Sequence, residues 1–72
     1  MSMYQRLRKL REAAEKSQEE IAKLLDTSQS YYAQYENGKR HIPFDRVILL
    51  AEYYNVSLDY IAGFIDTPRK LK

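Results

Sequence analysis

The chain has 72 residues, a net charge of +2 and no cysteine, which sets an expectation of one small domain without disulfides or thiol chemistry, suited to a reducing cytoplasm. His41 is the only histidine, so a zinc site lacks ligands, and no cofactor is expected. No apolar run approaches the roughly 20 residues of a membrane span, and MSMYQRLRKL lacks the apolar centre of a signal peptide.

Ser2-Met3-Tyr4-Gln5 has the hydroxyl-then-amide spacing of a capping box. It opens a helix expected to run to about Glu15, with Met3, Leu7, Leu10 and Ala14 on one face. Arg6, Arg8 and Lys9 fall off that stripe and form either a solvated basic face or one or two phosphate contacts. Ser17 to Glu20 is a second capping box, S-x-x-E, ahead of the apolar stripe Ile21, Ala22, Leu24 and Leu25. Gln18 lies in the first turn of this second helix, where backbone N–H groups favour an anion; it is either a phosphate contact or simply a good helix-start residue. The stripe stops at Asp26-Thr27-Ser28, three short polar side chains that favour turns and caps. Ser28 is placed to cap a third helix from Gln29, and the small Ala22 lets the two helices approach closely at a steep corner.

The third helix separates by face. Gln29, Ser30, Ala33, Gln34 and Asn37 fall on one side, Tyr32 and Tyr35 on the other, and Tyr31 on the flank. Any solvated amphipathic helix turns polar groups outward. Amides, however, offer a donor and an acceptor together, matching N6 and N7 of adenine, and Ala33 can meet a thymine methyl. Asn37-Gly38 ends this helix with a residue free to take a left-handed cap. Lys39, Arg40 and His41 follow as an exposed loop, where backbone amides near Asn37 and Gly38, together with Lys39 and Arg40, are expected to hold phosphate.

Ile42-Pro43 restarts the chain, with proline suited to a first helical turn. Phe44, Val47, Ile48, Ala51 and Tyr54 recur at helical intervals beside Leu50, marking a fourth helix that closes the core. Asn55 stops it, Val56 tucks in, and Ser57 caps a short fifth helix of Leu58, Ile61 and Ala62 ended by Gly63. Tyr53, Tyr54 and Tyr60 are expected at the edge of the core. Phe64 and Ile65 are apolar beyond that glycine: they either fray with the terminus or pack, with Leu58, across a two-fold axis. The expected division is a domain over 1–65 and a basic tail over 66–72.

Charge is distributed unevenly along the chain. Residues 1–16 carry +3, 17–38 carry −3, 39–46 carry +2, 47–66 carry −3 and 67–72 carry +3. The third helix has no lysine or arginine, so attraction to phosphate must come from its neighbours while its polar groups address bases.

QEEIAKLL, DTSQSYYAQYENGKR and NVSLDYIAG together resemble the Cro and phage-repressor family of helix-turn-helix proteins, the Xre type, over roughly Leu7 to Gly63. The resemblance implies an all-α, compact five-helix bundle of the lambda-repressor-like type, a homodimer, a double-stranded DNA operator and transcriptional control without catalysis. It implies base contacts from Gln29, Ser30, Ala33 and Gln34, and phosphate contacts from Gln18, Ser28, Tyr31, Asn37, Lys39 and Arg40. It also implies a structural ion pair between Arg11 and Glu36. Two positions depart from the family pattern: Asp26 stands where glycine is usual, and Tyr32 and Tyr35 stand where aliphatic side chains are usual. The alternatives are an antitoxin of the same fold with a protein partner, and a helical interaction module. An enzyme is not expected, since the sequence has no nucleophile–histidine–acid set, and Gly38-Lys39 alone is no phosphate loop.

Overall fold

The structure, a computed structural model, describes residues 2–68. Five helices follow in order: α1 Met3–Ala13, α2 Gln18–Leu24, α3 Gln29–Glu36, α4 Phe44–Tyr54 and α5 Leu58–Ala62, with no strand among the described residues. Four of the five begin on a serine. Ser2, Ser17, Ser28 and Ser57 are in extended backbone, and their hydroxyls accept from the N–H groups of Gln5, Glu20, Tyr31 and Tyr60. At Ser2 and Ser17 the capping box is complete, with the side chains of Gln5 and Glu20 accepting back from the cap N–H. Pro43 is itself the N-cap of α4 and stands outside its first turn.

All five helices end by one device. Among the described residues, those at positive φ are Glu15, Asp26, Gly38, Asn55 and Gly63, one after each helix. In each case the next N–H reaches back across the turn: Lys16 to Arg11, Thr27 to Ala22, Lys39 to Gln34, Val56 to Ala51 and Phe64 to Asp59. These bonds satisfy carbonyls that a helix end leaves orphaned. Because Glu15 takes the left-handed position, α1 closes at Ala13, short of the expected Glu15, and Ala14 is exposed at the cap and absent from the buried face.

The core gathers Leu7 of α1, Ile21 and Ala22 of α2, Tyr32 and Tyr35 of α3, and Leu50 of α4, with Ile61 of α5 beside them. Two expectations are corrected here. Phe44 and Ile48 were expected to close the core, but they are 67 % and 37 % exposed. The apolar residues of α4 run most of the way round the helix, so periodicity alone did not choose the buried side. Val47, Leu50 and Ala51 fill it, and Phe44 and Ile48 lie about a quarter-turn away.

Arg6 was expected on a solvated basic face or against phosphate, but it is 3 % exposed. Its guanidinium lies 3.9 Å from the centroid of the Tyr60 ring, and Nη2 donates to Asp66 Oδ1 at 3.4 Å. Its Nε finds no hydrogen-bond partner among the described residues. An arginine can bury its stem and planar head against an aromatic ring while keeping its charge paired, so it sits inside although it breaks the apolar stripe. Arg6 therefore ties α1 to α5 and to the segment that follows. The basic residues of the expected tail, at 69, 70 and 72, lie outside the described residues.

Candidate nucleic-acid interface

α2 and α3 meet at Asp26, whose φ of 56° provides the left-handed step that the family pattern usually assigns to glycine. Asp tolerates that conformation better than most residues because its short side chain bonds locally. Ala22 is fully buried at the corner. Arg46 of α4 reaches across and donates through Nη1 to the carbonyl of Leu25, fastening the end of α2. No pattern in the sequence marked Arg46 for this role.

The ion pair is present. Arg11 Nε donates to Glu36 Oε2 at 2.7 Å and Arg11 Nη2 to Oε1 at 3.2 Å, with Nη1 on the carbonyl of Lys16 at 2.9 Å. The Glu36 side chain is almost wholly buried. Burial alone would raise its pKa, but hydrogen bonds from Arg11 and Gln18, with the Tyr32 hydroxyl close by, outweigh that and hold the carboxyl below its usual range. Gln18 Nε2 donates to Glu36 Oε1 at 3.2 Å, and Gln29 Nε2 lies 3.5 Å from Gln18 Oε1. Gln18 is therefore joined to the α3 carboxylate as well as standing beside the exposed face.

Behind this network the Tyr32 hydroxyl is buried close to Glu36, near enough to lower the carboxyl's pKa, but without the geometry of a well-formed hydrogen bond. The Tyr54 hydroxyl is likewise buried without a partner among the described residues. Burial pushes both phenols up, so both stay neutral. The inward tyrosines thus leave two hydroxyls inside, where aliphatic side chains would leave none.

Gln29 and Ser30 are exposed, and Ala33 and Gln34 are half-buried along the same outward face of α3. Ser28 is engaged as N-cap of α3 through its hydroxyl. Asn37 and Lys39 are exposed at the far end. The expected phosphate grip from backbone amides there is corrected. The N–H groups of Asn37, Gly38, Lys39 and Arg40 donate to the carbonyls of Ala33, Tyr35, Gln34 and Gln34, so that grip would fall to side chains. Gly38 is constrained from outside too, since a Cβ built there would stand 3.2 Å from Cδ2 of Tyr4. The Tyr4 hydroxyl in turn lies 3.4 Å from His41 Nδ1.

Arg40 is folded back onto α3. Its Nε donates to Gln34 Oε1 at 3.2 Å, and its guanidinium lies 4.4 Å from the centroid of the Tyr31 ring. Tyr31 packs edge-on against Tyr35, with ring centroids 5.6 Å apart. Reading the sequence alone placed Arg40 and Tyr31 separately on phosphate; a contact between them has no signature in spacing.

A helix-turn-helix family model matches residues 7–61. The chain belongs to that family, the Cro and Xre type of helix-turn-helix protein. Among curated proteins it is 41 % identical over 64 residues to the uncharacterized HTH-type transcriptional regulator YobD of Bacillus subtilis, covering 89 % of this chain and 57 % of that one. It is 33 % identical to the HTH-type transcriptional regulator ImmR of the same organism, over 97 % of this chain and 55 % of the relative. It is 39 % identical to the HTH-type transcriptional regulator PrpR of Mycobacterium tuberculosis, over 85 % of this chain and 13 % of the relative. The chain thus spans little more than half the length of the first two relatives. No solved structure matches it significantly.

Proposed function

We propose that this chain is a sequence-specific binder of double-stranded DNA that regulates transcription, with α3 entering the major groove. The observation that carries the proposal is the outward face of α3: Gln29, Ser30, Ala33 and Gln34 share one accessible strip. Gln29 and Gln34 are also oriented by neighbours within the chain, at Gln18 and Arg40. Base-edge recognition needs such prealigned polar groups, whereas a merely solvated face does not. Phosphate contacts are assigned to Lys39, Asn37 and Ser28, which are exposed, and to the half-buried Gln18. The relatives named as transcriptional regulators support the same role, and repression by occupying an operator is its simplest form.

One such helix addresses few base pairs, so two copies are expected on a near-palindromic site, their α3 helices about 34 Å apart. The exposed apolar residues Phe44, Ile48, Leu49 and Phe64 are candidates for contact with the second copy, as are the half-buried Leu58 and Ile65. The same surface would serve a protein partner were the chain an antitoxin; a co-purifying small protein would mark that case. The proposed unit spans 1–65, with 66–72 as a basic tail, in the cytoplasm.

Selection of bound duplexes from a random pool tests the proposal, with an enriched, two-fold symmetric motif expected. Gln29→Ala should lower affinity by about 1–3 kcal/mol with relaxed choice at one position of each half-site, and Lys39→Ala should weaken all sequences alike. Equal losses on selected and random DNA for Gln29→Ala would remove Gln29 from base recognition. Failure of the protein to enrich any motif would sink the proposal itself.

A further inference from the structure

Arg40, from the loop after α3, folds back over Tyr31 and Gln34 of that helix, and the way it is held does not suit a free phosphate anchor. A residue gripping a phosphate needs reach and charge, and a mobile arginine or lysine supplies both. Arg40 is fixed on two sides. Its Cζ lies over the Tyr31 ring, 4.4 Å from the centroid, and Gln34 Oε1 accepts from Nε at 3.2 Å. Arginine can only donate, so the Gln34 atom facing Nε must be the carbonyl oxygen, and the amide's orientation follows from chemistry. The platform is itself braced, because Tyr31 meets the buried Tyr35 edge-on.

The bond to Nε leaves both terminal nitrogens, Nη1 and Nη2, without a hydrogen bond among the described residues. Those two nitrogens make the fork that fits two acceptors side by side. In the major groove, guanine is the base that presents such a pair, O6 and N7, and arginine against guanine is the commonest specific contact there. Adenine presents one donor and one acceptor, and a donor-only fork mismatches it.

We propose that Arg40 reads a guanine in the major groove, with Gln34 and Tyr31 acting as positioning residues that hold its guanidinium flat and pointed outward. This assignment rests on the entry of α3 into the groove. It gives the two ends of α3 different preferences. Gln29, held only through its Nε2, keeps its carbonyl oxygen and a second N–H for an adenine, while the Gln34–Arg40 end offers chiefly donors.

The test is selection from random duplex DNA followed by binding titrations, using wild type, Arg40→Ala, Arg40→Lys and Tyr31→Leu. All three substitutions fall at exposed positions, so folding can be verified directly by thermal melting. Wild type is expected to enrich a guanine at one position of each half-site. Arg40→Ala should lose that preference and keep the others, with affinity for the selected site falling about ten- to a hundredfold and little change on a duplex with that pair exchanged. Arg40→Lys keeps the charge but not the fork. It should lose the guanine while the dependence of binding on salt stays near that of wild type. Tyr31→Leu should weaken the preference partway.

Three outcomes overturn the assignment: an Arg40→Ala motif that retains every enriched guanine, an equal loss on all duplexes, or Arg40→Lys behaving as wild type. The second and third would make Arg40 a phosphate contact and leave α3 in the groove. Wild type enriching no motif would instead overturn groove entry, and this assignment with it.

Discussion

At Glu15 an L-residue with a full side chain holds φ at 57°, a conformation that glycine adopts freely. The left-handed region costs such a residue about 1–2 kcal/mol, partly offset by the entropy glycine loses on folding. Glu15→Gly is therefore expected to stabilise the protein by about 0.5–1 kcal/mol, read as a rise of roughly 4 °C in Tm. The converse holds at Gly38, with φ of 73° and a Cβ position 3.2 Å from the Tyr4 ring. Gly38→Ala combines backbone strain with a displaced Tyr4, and a loss of about 1–2 kcal/mol is expected by denaturant titration. An unchanged midpoint for both variants would remove backbone strain from the account of these turns.

Between elements, the bond that matters most for the interface is the one from α1 to α3. Removing Arg11 leaves the Glu36 carboxylate buried with Gln18 as its main donor, so Arg11→Ala should cost about 3 kcal/mol. The pH dependence follows from the direction of the Glu36 shift. Its folded pKa lies below its unfolded one, so its contribution is fully present above the ordinary glutamate range and is lost as pH falls through the folded value. In Glu36→Gln the slope of stability against pH should flatten over that acidic window; an unaltered slope would place the acid sensitivity elsewhere. This pair was legible from the family resemblance, and four of the five helix starts were legible from the serine caps, because each depends on local chemistry or a fixed spacing. Arg6 and Phe44 were not. A guanidinium stacked on Tyr60 is decided by a ring from α5, at the other end of the chain. The outward side of α4 is decided by how many apolar groups the core has room for. The fold of Arg40 over Tyr31 was equally hidden, since it depends on how the loop leaves the last turn of α3.

For the whole molecule, the exposed strip of α4 bears on assembly. Ile48→Glu places a charge where a second copy is proposed to dock, while leaving the inward Val47, Leu50 and Ala51 untouched. Sedimentation should show loss of the dimer at unchanged Tm, and binding to a full palindrome should fall toward that of a half-site; a dimer that persists would move the contact elsewhere. Glu36, finally, stands at the head of a one-way relay in which Gln29 gives to Gln18 and Gln18 gives to the carboxylate. Such a relay has a direction only while its head can accept and cannot give. Once protonated, the acid can do either. The two glutamines are then free to turn end for end, and a protein still folded below the ordinary glutamate range should confuse the bases it is proposed to tell apart at neutral pH.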